Sequence, residues 1–133
     1  MGTIEIVAAL IRDQAGRVLL VRKRGTKAFM QPGGKRDAGE DDATALVREI
    51  GEELGCIPLR DSIRPLGEFD AVSANEPGFR VRAALYGIEV TGEIAPQAEI
   101  DAMVWIDPAS PPDIPLAPLT RDHVLPLAAR VPG

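Results

Sequence analysis

The chain has few of the residues that stabilise secreted proteins or recognise nucleic acids. Cys56 is the one cysteine among 133 residues, so no disulfide can form within the chain, and we expect a reducing compartment, the cytoplasm. The net charge of −5 argues against a nucleic-acid polymer as partner, because such binding needs a basic surface. The one histidine, His123, gives little reason to expect histidine chemistry.

Long apolar segments and linkers are also missing. The apolar run from Ile6 to Ile11 ends at Arg12 and has no basic segment before it, so it predicts neither a signal peptide nor a membrane span. The sequence contains no internal repeat and no low-complexity linker. We therefore expect one domain over residues 1–133, with no membrane partner.

What the chain does have is one helix-sized segment, residues 34–56, that holds most of its acidic excess. This segment contains three basic and seven acidic residues. Glu49, Glu52 and Glu53 are spaced i, i+3 and i+4, which places them on one side of a helix. Three like charges at that distance repel one another, and a hard divalent cation with oxygen ligands is the simplest compensation. The spacing therefore predicts a site for a hard divalent cation.

A glycine loop, Pro32–Gly34, comes before this segment and leaves backbone N–H and C=O groups accessible. It is not a nucleotide-binding P-loop, because Phe29 and Arg36 stand where that motif needs glycine and serine or threonine. Gly33 and Gly34 can approach a metal or a phosphate through their backbones, and the alternative is a simple tight turn.

Residues 34–56 follow the pattern Gly-x5-Glu-x7-Arg-Glu-apolar-x-Glu-Glu-x-Gly-apolar, and this segment is called the box below. The residues in place are Gly34, Glu40, Arg48, Glu49, Ile50, Glu52, Glu53 and Gly55, and Cys56 holds the last apolar position as a mild departure. The chain thus resembles the Nudix hydrolase family, the MutT-like enzymes that cleave nucleoside diphosphates linked to another group. The resemblance implies an α/β fold, an α/β/α sandwich with a mixed β-sheet on which the helix of the box packs.

The resemblance also implies roles within the box. Glu49, Glu52 and Glu53 would bind the metal together with the Gly34 backbone, and Glu52 and Glu53 would take part in catalysis. Arg48 would orient a box glutamate through an ion pair. Glu40 would either join the metal site or pair with the arginine. For each acid the alternative is a solvent-facing helix charge.

The resemblance also suggests a general base outside the box, on an acidic residue that precedes a strand near the end of the chain. Glu99 precedes the strand that contains Trp105, an arrangement similar to the family's. Glu93 and Asp101 are the competing candidates, and a solvated loop acid is the alternative to all three.

Substrate contacts outside the box depend on basic side chains. Arg22 leads into the glycine loop, and Arg80 and Arg82 share one face of a predicted strand, so all three are candidates for binding phosphate or ribose. Ordinary surface charges are the alternative.

Hydrophobic periodicity gives a mixed α/β domain. We expect strands over residues 3–12 and 17–23 that form a hairpin, strand material over 60–72, a long strand over 79–90 and another over 101–106. A helix is predicted from Asp41 to Leu54, stopped by Gly55, with a packing stripe. The stripe consists of Ala43, Leu46, Val47, Ile50 and Leu54. A closing helix over 120–131 is expected to be bent or to begin late because Pro126 lacks an N–H.

These observations predict a Mg²⁺-dependent Nudix hydrolase that cleaves a pyrophosphate bond by metal-activated water. The small size favours a (d)NTP or an oxidised (d)NTP as substrate, followed by dinucleoside polyphosphates and ADP-ribose. One alternative is a Nudix-fold sensor that binds a nucleotide without cleaving it, and another is a structural domain with an acidic helix. Either a monomer or a homodimer is compatible with the sequence.

Overall fold

The computed structural model describes residues 2–130 of the chain. Eight strands and two α-helices alternate with short turns. They are β1 (Thr3–Leu10), β2 (Val18–Lys23), β3 (Gly33–Gly34), α1 (Asp42–Leu54), β4 (Ile57–Pro58), β5 (Arg64–Val72), β6 (Arg80–Gly87), β7 (Val90–Thr91), β8 (Ile100–Ile106) and α2 (Leu125–Arg130). A 3₁₀ turn (Arg60–Ser62) precedes β5, and a π-helical turn (Thr120–Val124) leads directly into α2. Within residues 2–130, no helix is long and apolar enough to cross a membrane.

The largest sheet is mixed and has the strand order β3-β1-β6-β5. Strand β1 runs parallel to β6 and antiparallel to β3, and β6 runs antiparallel to β5. Strands β2 and β8 form a separate antiparallel pair, as do β4 and β7.

Two hydrophobic cores lie on opposite faces of the large sheet. Along β1, Val7 and Ala9 point into the core that contains α1, whereas Ala8 and Leu10 point into the core that contains α2. This alternation follows from the two-residue period of a strand. The result is an α/β/α sandwich with a mixed sheet, so the predicted fold class is confirmed.

Helix α1 has the limits that its local sequence predicts. The Asp41 carboxylate accepts a hydrogen bond from the Thr44 N–H and so caps the N-terminus, and Gly55 ends the helix with a left-handed φ of 72°. The packing stripe differs in one respect from the prediction. Ala45 is fully buried, whereas Ala43 and Val47 are only partly buried, because the core extends over both sides of Leu46.

Two predictions about strands hold only in part. The predicted hairpin of β1 and β2 is present at its turn, where Arg12 bridges Val18 and the Leu19 N–H donates to the Ile11 carbonyl, but beyond it β2 pairs with β8. The segment expected as one long strand over 79–90 is divided, because β6 ends at Gly87 and the chain then pairs with β4 through Val90 and Thr91. Both differences result from pairing between distant segments, which local periodicity does not specify.

The closing helix begins with a π turn, in which the Leu125 N–H donates to the Thr120 carbonyl. This wider turn stands immediately before Pro126, which has no N–H and whose ring needs space in the preceding turn. The predicted distortion near the proline is therefore present. The predicted last residue, Val131, lies outside the described residues.

Candidate active site

The glycine loop is fixed by its close approach to β1. Gly33 and Gly34 form β3 and pair with Ala8 and Val7. A Cβ atom on Gly33 would lie 2.1 Å from the Val7 carbonyl oxygen, and the Gly33 φ of 148° disfavours other residues. A Cβ atom on Gly34 would lie 1.5 Å from Oε2 of Glu49, so the Glu49 carboxylate lies directly against the Gly34 backbone.

Glu53 is a buried acid on the inner side of α1. Only 3% of the residue is exposed, and its Oε1 accepts a hydrogen bond of 3.1 Å from the Gly33 N–H. Burial raises the pKa of Glu53 to about 8, and the neighbouring Glu49 charge adds to this, while the Gly33 N–H opposes it. The carboxylate therefore lacks full compensation for a negative charge.

Glu49 lies one turn before Glu53 and is partly buried. Burial also raises the pKa of Glu49; Arg48 opposes the shift and the Glu52 charge adds to it. Lys23 is close enough to both Glu49 and Glu53 to favour their charged forms. The two acids and this lysine therefore belong to one electrostatic environment beside the glycine loop.

Glu52 does not converge with the other two acids. Its exposed carboxylate accepts a hydrogen bond of 3.1 Å from Nη1 of Arg48. Among residues 2–130, no three acidic, histidine or cysteine side chains form a group that could hold a metal ion. The helix spacing predicted that the three acids lie on one side of the helix. It could not show that Arg48 binds the Glu52 carboxylate and holds it away from the other two.

Arg48 is surrounded by acceptors. Its Nε and Nη2 each donate a hydrogen bond of 2.8 Å to Glu40, and Nη1 also donates to Glu49 at 3.3 Å. Nη2 further donates to the Lys35 carbonyl at 3.0 Å. The Arg48 guanidinium lowers the pKa of Glu40 to about 2, and Glu40 in turn raises the pKa of Arg48. Of the two roles expected for Glu40, the structure shows the pairing with the arginine.

A cleft of about 340 Å³ opens beside these acids, a volume within the range of small-molecule sites. Its polar lining includes Gly34 and Arg48 and Glu49 from the box, together with Lys23. Its apolar walls come from β1, from β5 and β6, from the segment between β2 and β3 and from the segment before α2. These apolar residues are Ile4, Ile6, Ala8, Met30, Val72, Val81, Ala117 and Leu119.

Glu99 is the predicted general base that reaches this cleft. Its Oε1 lies 3.8 Å from Nζ of Lys23, and its side chain is largely exposed. The loop that carries it is held by the backbone of Arg24, whose N–H donates to the Glu99 carbonyl at 2.7 Å. Of the two competing acids, Asp101 pairs with Arg22 at 3.0 Å and Glu93 is exposed, and neither lines the cleft.

The three arginines expected to bind substrate are not in the cleft lining. Arg22 is occupied by Asp101 and lies over the Phe29 ring, 5.2 Å from its centroid. Arg82 pairs with Asp70 at 3.0 Å on the sheet surface, and Arg80 is exposed. The structure thus brings the box residues and Glu99 together but leaves these arginines apart.

Sequence reasoning missed eight polar residues of the cleft. They are Lys23, Gln31, Lys35, Asp37, Ser73, Asn75, Glu76 and Thr120. Lys23 was recognisable, because in β2 it shares the inward face of Leu19 and Val21. Lys35 directly follows the glycine pair. Gln31 and Thr120 are far apart in sequence, and only the fold brings them into contact.

The residues present fit a divalent cation by the chemistry of their donors. The Glu49 carboxylate lies against the Gly34 backbone, and the Glu53 carboxylate accepts from the Gly33 N–H. Burial raises the pKa of Glu53, and a bound cation would favour its charged form. Hard oxygen donors of this kind suit Mg²⁺ or Mn²⁺.

Comparison with known proteins identifies the family of the chain. The family model described as "NUDIX domain" matches residues 3–127. An 8-oxo-dGTP diphosphatase of Haemophilus influenzae is 35% identical over 71 residues, which cover 50% of this chain and 52% of that relative, so the match spans about half of its length. A CTP pyrophosphohydrolase of Escherichia coli is 32% identical over 124 residues, which cover 89% of this chain and 86% of the relative.

A solved structure agrees over nearly the full length. The crystal structure of a MutT NUDIX hydrolase from Burkholderia pseudomallei superposes with a TM-score of 0.75 at 27% sequence identity. The superposition covers 96% of each chain. The overall fold is therefore shared with a solved relative over nearly the whole chain.

Proposed function

The chain belongs to the NUDIX domain family, and we propose that it hydrolyses a pyrophosphate bond of a nucleoside triphosphate with Mg²⁺ as cofactor. The observation that carries this proposal is the position of Glu49 and Glu53 against the glycine loop, beside a cleft that also contains lysine side chains. A phosphate chain needs cations, and this cleft offers both lysines and a pair of carboxylates able to hold a metal.

Glu49 and Glu53 are the proposed metal ligands, together with the Gly34 backbone. Glu52 is the proposed third carboxylate, and it would have to turn away from Arg48 to reach the cation. A divalent cation held there supplies charge neutralisation for the phosphate oxygens and promotes ionisation of the attacking water. Arg48 holds Glu49 and Glu52 through its hydrogen bonds, so it is a positioning residue for the ligand set.

Glu99 is the proposed general base. It lies at the cleft, where its carboxylate can accept a proton from water as the water oxygen bonds to phosphorus. The bond from that phosphorus to the bridging oxygen breaks, and the leaving phosphate takes the electron pair. Lys23 and Lys35, which line the same cleft, neutralise the charge that develops. The products are a nucleotide and phosphate or pyrophosphate.

Nucleoside triphosphates, including oxidised forms, are the proposed substrate class. Two relatives are named for triphosphate chemistry, a CTP pyrophosphohydrolase and an 8-oxo-dGTP diphosphatase. The cleft is also small, which suits a single nucleoside better than the two nucleosides of a dinucleoside polyphosphate. Gly33 contributes by its close approach to β1 rather than by lining the cleft.

We further propose a single domain over residues 1–133 that works in the cytoplasm as a monomer or homodimer. The one cysteine is buried and free, which suits a reducing environment. Size-exclusion chromatography with light scattering distinguishes the two assembly states.

A nucleotide panel tests the function directly. The protein is incubated with Mg²⁺ and with the (d)NTPs, 8-oxo-dGTP, diadenosine polyphosphates or ADP-ribose, and the products are separated by ion-exchange chromatography. We expect Mg²⁺-dependent turnover of at least one triphosphate and loss of that turnover in excess EDTA. Separation of phosphate from pyrophosphate identifies the phosphorus that is attacked.

Matched glutamate variants provide the control. Glu53→Gln removes the buried carboxylate, and Glu68→Gln removes an equal charge from the exposed side of β5. We expect activity to disappear in the first variant and to persist in the second. Nucleotide binding without turnover in the wild type would overturn the hydrolase proposal in favour of a sensor.

A further inference from the structure

Gln31 carries a buried amide group with an unused donor. The residue is 6% exposed, and its Nε2 has no hydrogen-bond partner among the described residues. Native proteins rarely leave such a group unpaired, because a buried donor without an acceptor costs free energy. The amide therefore points to a ligand.

The orientation of this amide is fixed by Thr120. The Thr120 hydroxyl donates a hydrogen bond of 3.0 Å to Oε1 of Gln31, and Thr120 is completely buried at the start of the π turn. Because Oε1 is held in this way, Nε2 is the part of the amide that is free to bind. Gln31 thus offers N–H donors rather than an acceptor.

Both residues line the cleft beside the glycine loop. The Cα atoms of Gln31 and Gly34 are three residues apart, at most about 11 Å along the chain. The surrounding wall is apolar and includes Ile6, Ala8 and Leu119. An oriented amide donor beside these apolar residues, within reach of the glycine loop, suits the flat base of a nucleotide.

Building on the proposed function, we propose that Gln31 selects substrates whose base presents a carbonyl oxygen to Nε2. Guanine, cytosine and uracil have such an oxygen. Adenine has none, and glutamine recognises adenine through its carbonyl and amide groups together. In this chain the Thr120 hydroxyl already occupies one lone pair of the Gln31 carbonyl. Adenine, which offers Nε2 only a ring nitrogen and needs Oε1 for its amino group, is therefore expected to bind more weakly than a base with a carbonyl oxygen.

Kinetic discrimination between bases tests this inference. The values of kcat/KM are measured for dGTP, dCTP and dUTP, with dATP and 2-aminopurine deoxynucleoside triphosphate as substrates that lack the oxygen. We expect Gln31→Leu to lower kcat/KM for carbonyl-bearing substrates by about tenfold, mainly through KM, because one hydrogen bond is lost. The values for dATP and the 2-aminopurine nucleotide should change little. Equal losses for all substrates, or none for any, would overturn the assignment.

Two further variants separate recognition from structure. Thr120→Val keeps the side-chain shape but releases Oε1, so the ratio of kcat/KM for dGTP to kcat/KM for dATP should fall. The double variant Gln31→Leu/Thr120→Val removes both polar groups, and its melting temperature should equal or exceed that of the wild type. A lower melting temperature would indicate that the pair is structural.

Binding of nucleoside monophosphates, measured by calorimetry without turnover, distinguishes failure of this inference from failure of the proposed function. Tighter binding of dGMP or dCMP than of dAMP, lost in Gln31→Leu, supports base selection even if no substrate is hydrolysed. Equal binding of all three would overturn selection by Gln31 while leaving hydrolysis intact. A wild type that neither binds nor hydrolyses nucleotides would overturn both proposals.

Discussion

The Gly33 N–H donates a hydrogen bond of 3.1 Å to the carboxylate of Glu53, twenty residues later in the chain. This bond connects the glycine loop, which is paired with β1, to the inner face of α1. It also provides a donor for an acid that is almost fully buried. The geometry of the candidate active site therefore depends on the same contact that joins the sheet to the helix.

Replacement of Glu53 should make the metal-free protein more stable. Burial raises the pKa of Glu53 to about 8 from an ordinary value of 4.5. The contribution of the protonated side chain to the unfolding free energy is therefore complete below pH 4.5 and is lost as the pH rises through 8. Glu53→Gln removes the buried charge, and we expect a gain of a few kcal/mol in unfolding free energy at pH 9 in EDTA. Urea denaturation at pH 9 and at pH 5 measures the difference, which should be small at pH 5.

Added Mg²⁺ should make the wild type more stable than Glu53→Gln. The cation stabilises the wild type by binding its native state, whereas Glu53→Gln should respond weakly. If Mg²⁺ raises the melting temperature of both proteins equally, Glu53 is not a ligand.

The pairing of Glu40 with Arg48 should appear in the acid limb of the stability profile. The arginine lowers the pKa of Glu40 from 4.5 to about 2, so the pair contributes stability above pH 4.5 that is lost as the pH falls toward 2. Glu40→Gln should flatten the profile between these values and leave its shape near neutrality unchanged. Circular-dichroism melts between pH 2 and 7 provide the check, and an unaltered acid limb would contradict the pairing.

Arg48 should not be replaceable by lysine. The guanidinium donates two hydrogen bonds to Glu40 and others to Glu49 and Glu52, and a lysine ammonium cannot reproduce this planar arrangement. We expect Arg48→Lys to lower the unfolding free energy by about 1 kcal/mol and to reduce kcat through misplaced carboxylates.

Arg82→Lys is the matched control for this change. Its partner Asp70 is on the exposed sheet surface, where an ion pair contributes little. Stability and turnover should both remain at the wild-type level. A kcat for Arg48→Lys equal to that of the control would remove Arg48 from the positioning role.

A side chain at Gly33 should displace β3 from β1. The Cβ atom of Gly33→Ala would lie 2.1 Å from the Val7 carbonyl, at a backbone angle that alanine rarely adopts. We expect a loss of about 1–3 kcal/mol from backbone strain, with further loss from movement of the strand. Gly51→Ala, in α1, meets no atom closer than 4.0 Å and should instead stabilise the protein by about 1 kcal/mol. Chemical denaturation of both variants tests the contrast, and equal effects would contradict it.

Elements governed by neighbouring residues could be predicted closely. Helix α1 has its cap at Asp41 and its end at Gly55, because capping and left-handed termination depend on residues within one turn. The pairing of β2 with β8 could not be predicted in this way. Their partners are separated by about eighty residues, and strand pairing depends on packing rather than on local preference.

In the candidate site, too, some features follow from neighbouring residues and others only from the packed fold. The spacing of Glu49, Glu52 and Glu53 predicted a shared side of the helix, but the structure directs Glu52 to Arg48 and buries Glu53. Burial is a property of the assembled core, and it is burial that raises the pKa of Glu53.

The family, the helix over residues 42–54 and the acids available for a cation can be read from the sequence, because they depend on residue type at fixed spacing along one helix. The tertiary structure alone decided which charges share the cleft. It placed Lys23 and Glu99 together and left Arg80 and Arg82 outside, and it joined Gln31 to Thr120 across 89 residues. The physical reason is that a side chain's pKa and its free hydrogen-bonding groups depend on the water and partners removed around it, which only the packed fold defines.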